Sequence, residues 1–411
     1  MSIDGKDSMS STPAKPRSSV RRSSSPGIAS PLTIGLLRLT DAAPVVIAFE
    51  KGYFAERALD VRLSVEPSWA NIADKLTYGR LNAAVMLPPL AFAVSLGLRG
   101  VGVPLIVPMS LSLNGNAVTV SRAVYQSLAP ERGAGAVEIG ARLRRYIASR
   151  PKPFRFAVVH VHSTHNLLLR YWLAACRIDP DKDVELSVVP PAETAVALRQ
   201  GQIDGFCAGA PWGEVAARAA VGRTIVTSSQ IWRNHPEKCL AVSSEWAAAE
   251  SAVLDRMIDA LIAAARFCDM PENADEVARI LGGNRYLGLA PAIIRESLPV
   301  NPVLGQECRG EVDRSIFFAN AASFPWRSHA AWFLEEMARW GHLPGRVDRA
   351  AAAEIYRPDL YRAAAERCRI SAPAHDGKIE GGHPAAWQVD GRPLPIEMGA
   401  DPFCDGKVFG D

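Results

Sequence analysis

The chain has 411 residues, of which 48% are hydrophobic and 22% charged, ample for a large core and a prior for two or three domains. Its formal net charge is +3, and the first 30 residues account for it: Lys6, Lys15, Arg17, Arg21 and Arg22 stand there against Asp4 and Asp7, so the rest of the chain balances. A neutral body argues against a nucleic-acid binder, which needs a basic face for phosphates. Seven scattered cysteines with no CxxC argue against a disulfide framework or zinc site and point to a reducing compartment.

Residues 1–30 hold ten serines and no aromatic residue, the composition of a disordered basic tail. Arg21-Arg22 is followed by a polar Ser-Ser-Ser-Pro-Gly run and not by an apolar stretch, so no targeting segment is visible. From Pro31 the pattern changes. Leu32, Ile34 and Leu36 mark a strand, and Val45 to Lys51 a helix stopped at Gly52. Val61 to Val65 reads as a second strand, Asn71 to Tyr78 as a helix ended by Gly79, and Ala83 to Leu87 as a third strand. Pro88-Pro89 then opens another helix. This alternation predicts a mainly parallel sheet covered on both faces. A second unit of the same kind starts near residue 122, with strands at 154–161, 184–189 and 206–208 and helices at 166–177 and 192–199. Ala117–Ser121 and Cys239–Ser243 read as two crossings between lobes. Ala-rich helical stretches follow at 244–268 and 347–366, and residues 371–411, rich in Gly, Pro, His and Asp, read as an extended arm. The expected organisation is a tail at 1–30, lobe I at 31–121 plus 239–370, lobe II at 122–238, and the arm.

Several chemistries are missing their motifs: there is no GxGxxG opening a helix, no P-loop, no GxSxG and no HExxH. His160, His162 and His165 form the best metal-like cluster, but no acidic or cysteine partner lies nearby, and a polar strand-end loop explains them equally. Polar and aromatic residues gather instead at predicted strand exits and crossings, the edge at which open α/β sheets bind ligands. They are Trp69, Asn114-Gly115-Asn116, Thr164-His165, Gly209-Ala210-Pro211-Trp212 and Lys238. Singly, each has an ordinary explanation: a core aromatic, a turn, a helix cap, a solvated lysine. Their shared placement is what suggests a site.

The motifs Leu39-Thr40-Asp41-Ala42-Ala43-Pro44, Glu50-Lys51-Gly52-Tyr53-Phe54, Ser68-Trp69, Leu113-Asn114-Gly115-Asn116-Ala117, Thr164-His165, Pro211-Trp212 and His235-Pro236-Glu237-Lys238 resemble the NrtA/CmpA-type nitrate/bicarbonate-binding proteins. The runs Arg170 to Ala175, Ile178 to Val184 and Phe403 to Lys407 extend the resemblance over roughly residues 32–411. It implies an α/β fold, a two-lobed type II periplasmic-binding-protein clamp with two interlobe crossings, no catalysis and no cofactor. By the same resemblance a small oxyanion sits between the lobes, with Trp69 as an apolar wall. Asn116, His165 and the Gly209 backbone N–H are its donors, and Lys238 supplies its charge. Asn116 replaces the family's usual Gln, and Ala210 an acidic residue, which leaves an anion less repelled.

With no targeting segment visible, the resemblance falls closest to the cytoplasmic NasS-type nitrate/nitrite sensors. These hold an ANTAR-type antiterminator protein until nitrate or nitrite releases it. The expectation is therefore a cytoplasmic sensor that binds no nucleic acid directly and does not insert in a membrane. The alternative is the solute-binding component of an ABC importer for nitrate, nitrite, bicarbonate or cyanate, which would need an upstream start adding an export signal. An enzyme on the same clamp, such as a thiamin-pyrimidine synthase, ranks last for want of a His/Cys-bearing site.

Overall fold

Ten strands build two sheets of five, and the order in which the chain lays them down explains the two-lobed α/β fold, a type II periplasmic-binding-protein clamp. The computed structural model describes residues 31–131, 133–299, 314–344, 348 and 354–410; the Ser-rich tail and part of the 347–366 stretch fall outside these. In the first sheet β1 (Leu32–Leu36) pairs in parallel with β2 (Val61–Val65) and β3 (Ala83–Met86). β4 (Leu105–Leu113) closes its far edge. In the second, β6 (Phe154–Val158) pairs in parallel with β7 (Val184–Val188) and β8 (Gly205–Gly209), and β9 (Gly222–Thr227) closes the edge. The remaining two strands cross over. β5 (Asn116–Ser121) leaves the first sheet and runs antiparallel between β8 and β9, and β10 (Pro236–Ser243) returns to run antiparallel between β3 and β4. The strand orders β2-β1-β3-β10-β4 and β7-β6-β8-β5-β9 are therefore one topology used twice, although no repeat is visible in the residues.

The apolar runs place the layers. β3 and β4 are buried along their whole length, as strands covered on both faces must be, whereas β2 exposes Arg62 between buried Val61 and Leu63 at its sheet's edge. The helix Ala43–Glu50 buries six consecutive residues and packs against Ser251–Asp269. β4, β9 and the helix Ala136–Ala148 are among the elements that the sequence reading did not find.

The arm forms two short strand pairs, Ala372–Pro373 with Gly391–Arg392 and Trp387–Val389 with Ile396–Met398. It is stitched to both lobes. Arg362, on a helix packed against β4, pairs with Asp376 at 2.7 Å; Tyr171, on a helix packed against β8, donates its hydroxyl to Asp405 at 2.8 Å. Phe403 stacks on Trp232 with centroids 4.6 Å apart.

No helix among the described residues is long and apolar enough to cross a membrane. The six cysteines among the described residues are free. Burial pushes the Cys176 thiol up to about 11 and Cys404 up to about 12, and raises Cys239 and Cys268 further. Such thiols are inert small hydrophobes, so their unpaired state carries no information about compartment.

Candidate functional site

The two crossings run side by side where the sheets exchange strands. The Asn114 N–H donates to the His235 carbonyl at 3.0 Å, and Asn114 and Gly115 turn the chain with φ of 60° and 91°. A Cβ on Gly115 would lie 2.5 Å from Ser315 Oγ, so the turn demands glycine in both conformation and space. Past it, Asn116 opens β5, donates its N–H to Ser228 Oγ at 3.1 Å, and lies opposite Gly209, the last residue of β8. His165 occupies the first turn of the helix Thr164–Ala175, whose start Ser163 caps by accepting from the Asn166 N–H at 3.0 Å. These three residues form the second lobe's wall.

The first lobe supplies the charges. Asp41 follows β1; Trp69 is the first residue of the helix Trp69–Thr77; Glu237 and Lys238 lie in β10. Neighbours in a strand ordinarily face opposite ways. Here the register slips between Pro236 and Cys239, and such an irregularity re-aims side chains so that Glu237 and Lys238 serve one site. Lys238 Nζ stands 2.8 Å from Asp41 Oδ2, pairs also with Glu237, and lies 5.4 Å from the centre of the Trp69 ring. Glu237 Oε1 is 3.5 Å from His165 Nε2 in the opposite wall. The walls also meet where the Thr40 N–H donates to the Ala210 carbonyl at 2.9 Å and Trp212 Nε1 to the Arg38 carbonyl at 3.1 Å. Lys238 is 1% exposed and Asp41 3% exposed, so this is a closed clamp.

Electrostatics modify the expected roles. Desolvation pulls the His165 imidazole down to about 3 against the attraction of Glu237, so the ring is neutral at physiological pH and can offer one N–H, not two. Glu237 is held down to about 2: burial opposes its ionisation, but Lys238, His165 and His235 outweigh burial. Asp41 is the weaker acid, raised by burial beyond what Lys238 recovers. Lys238 is therefore no free cation. Two carboxylates already share it, and the Asp41–Glu237–Lys238 group carries one net negative charge when both acids are ionised.

Yet the site is rich in unanswered hydrogen-bonding atoms. Asp41 Oδ1, Trp69 Nε1, both carboxamide atoms of Asn116, both ring nitrogens of His165 and Glu237 Oε2 are buried with no hydrogen-bond partner. Each such atom costs about 1–3 kcal/mol, and their concentration between two lobes marks a place built for a polar guest. The five residues singled out from sequence, Trp69, Asn116, His165, Gly209 and Lys238, thus converge. Asp41 and Glu237 were missed. Asp41 invites reading as a helix cap, but no side-chain cap bond forms there; Glu237 is masked by the lysine beside it. Together they offset the relief that Ala210 suggested. The histidine trio divides: His160 and His162 lie with ring centroids 5.8 Å apart, His162 also meets His342 at 5.7 Å, and His165 faces the cleft. No His/Cys/Asp/Glu group among the described residues has the arrangement of a metal site.

Residues 27–282 match the model of the NMT1-like family. The nitrate/nitrite binding protein NrtA of Synechococcus elongatus is 32% identical over 92% of this chain and 83% of its own. The chain belongs to the NrtA/CmpA group of the NMT1-like family. The solved structure of the periplasmic nitrate-binding protein NrtA from Synechocystis superposes with a TM-score of 0.79 at 28% identity, covering 92% of this chain and 94% of that one. The bicarbonate transport ATP-binding protein CmpC of Synechococcus elongatus is 37% identical over 76% of this chain and 46% of its own; this chain spans about half the length of the ATP-binding relatives it matches. The relatives that this chain covers most fully are binding proteins by name. They also correct the expectation of a cytoplasmic, regulatory NasS-type sensor with an antiterminator partner: the similarity lies with a periplasmic binding protein and with transport components. The physical reason for the error is that a neutral body and buried free thiols suit either compartment, and a closed two-lobed clamp suits either role.

Proposed function

We propose that the chain is the periplasmic or extracellular solute-binding component of an ABC-type importer, that it closes around nitrate or nitrite, and that its partner is a membrane permease with its ATPase. The observation that supports this is the buried set of unpartnered polar atoms between the lobes, on a chain similar to NrtA over nearly its whole length. Nitrate is planar with three acceptor oxygens, and the Asn116 amide, one His165 N–H, Trp69 Nε1 and the Lys238 ammonium are donors of the right kind. Trp69 walls off water, which strengthens every charge-assisted contact inside.

Bicarbonate is the second reading, and a specific observation favours it. Asp41 Oδ1 and Glu237 Oε2 are unpartnered acceptors, and bicarbonate carries the O–H that nitrate lacks. Titration calorimetry with nitrate, nitrite, bicarbonate and cyanate tests both readings. Binding of nitrate or nitrite at micromolar concentration with bicarbonate at least tenfold weaker supports the first; the reverse order replaces it with the second; no binding of any anion sinks both.

A further inference from the structure

Resting on the nitrate/nitrite reading, we infer that Asp41 is itself a ligand-binding residue: its carboxyl takes up a proton as the anion enters and donates that hydrogen to it. The geometry comes first. Asp41 Oδ2 is engaged by Lys238 at 2.8 Å, while Oδ1 is buried with no hydrogen-bond partner. A Cβ built on Gly209 would lie 3.4 Å from Asp41 Oδ2 and 3.4 Å from Asn116 Oδ1, so the carboxyl group, the carboxamide and the glycine backbone converge across the lobe boundary. The free oxygen of Asp41 thus belongs to the same closed space as the donors of the second lobe.

Charge then requires the proton. The charged groups facing Asp41 are Lys238 and Glu237, both on β10; from the other lobe it meets the uncharged Asn116 and Gly209, with His165 beyond Glu237 and neutral. With both acids ionised the group is already at −1, and a monoanion would bring the closed space to −2. Two like charges a few ångströms apart in a dry site cannot both persist, as in paired-carboxylate sites. Of the two acids Glu237 is held ionised, Lys238 foremost among the groups that outweigh its burial, leaving Asp41 as the group that protonates. Protonation converts an acceptor that would repel nitrate into an O–H that answers one of its oxygens. The balance is simple: one proton from solvent adds to Asp41 Oδ1, and no other bond is made or broken.

The sign of the linkage is fixed. Anion binding raises the Asp41 pKa above its value in the empty protein. Affinity for nitrate is therefore full below the empty-state pKa and falls about tenfold per pH unit from there up to the bound-state pKa.

Titration calorimetry of the intact protein with nitrate, between about pH 5 and 9 in buffers of different ionisation enthalpy, reads the protons directly. The expected result is uptake of up to about one proton per nitrate, matching the slope of log affinity against pH. Asp41→Asn, which keeps a neutral donor at the position, is expected to bind nitrate with no proton uptake and a flat pH profile. Nitrate binding with no uptake at any pH overturns the inference and leaves the nitrate reading standing. Uptake that survives in Asp41→Asn overturns the assignment to Asp41. Failure of the wild-type protein to bind nitrate or nitrite removes both.

Discussion

Lys238→Met removes a buried ammonium while keeping most of its apolar stem, and it leaves Asp41 and Glu237 in the closed cleft with no counter-charge. Breaking a buried ion pair by deleting one partner costs about 3–5 kcal/mol, and the lost contact with the Trp69 ring adds about 0.5–2 kcal/mol. At roughly 1.2 °C per kcal/mol for a chain of 411 residues, the melting temperature at neutral pH should fall by about 4–8 °C. Part of the loss can be avoided by opening, because water reaches both carboxylates once the Thr40–Ala210 and Trp212–Arg38 hydrogen bonds break. Small-angle scattering should therefore show a larger radius of gyration in the variant. Its unpaired acids have folded-state pKa values above their unfolded ones, so the variant should approach wild-type stability near about pH 4, the ordinary carboxylate range, and diverge from it as pH rises through their folded-state values. The control is the triple variant Asp41→Asn, Glu237→Gln, Lys238→Met, which replaces the charged group by neutral atoms of similar size and should regain most of the lost stability. A Lys238→Met protein with wild-type melting and scattering at pH 7.5, or a triple variant no more stable than the single one, would refute the reasoning.

Trp69→Ala should weaken nitrate binding at least tenfold by admitting water beside Lys238, and Trp69→Phe should lose less, which calorimetry resolves; equal affinities in all three proteins would remove Trp69 from the wall. His165→Gln should weaken binding by roughly the 1–3 kcal/mol of one buried hydrogen bond, while the pH profile keeps its shape, because the ring is already neutral with its pKa near 3; a profile flattened by this substitution would mean that the imidazole binds in its protonated form. Gly115→Ala, forced to φ of 91° and a Cβ 2.5 Å from Ser315 Oγ, should lower stability by about 1–3 kcal/mol and shift the scattering profile towards an altered lobe angle; an unchanged melting temperature would show that the crossing tolerates a side chain.

How far the sequence carries can be followed residue by residue. The strands β1, β2 and β3 were legible because short apolar runs are punctuated by Gly52, Gly79 and Pro88, each with a local backbone reason. β4 was not, because Leu105–Leu113 is buried throughout, and an unpunctuated apolar run has no period to read. The polar site residues were legible as a set only by their positions at strand ends. Asp41 and Glu237 escaped because their role is a three-body property: an acid is remarkable only once a buried lysine is known to lie between it and another. His165 was legible as a donor but not as a neutral one, since desolvation depends on what closes over it. The sensor role failed for a different reason, namely that compartment and partner are not encoded in the clamp itself.

The crossed strands also govern how the molecule can be assembled. The second sheet is made from one continuous stretch, Asn116 to Thr227, and needs nothing that follows it. The first sheet cannot close until β10 slides between β3 and β4, so its two parts must wait for more than a hundred residues of intervening chain. Contacts so distant in sequence form slowly, and until they do the apolar flanks of β3 and β4 stand as open edges that invite mispairing. The lobe that begins the chain is thus the one that finishes last, and Lys238, which holds the two buried carboxylates together, arrives on the very strand that seals it.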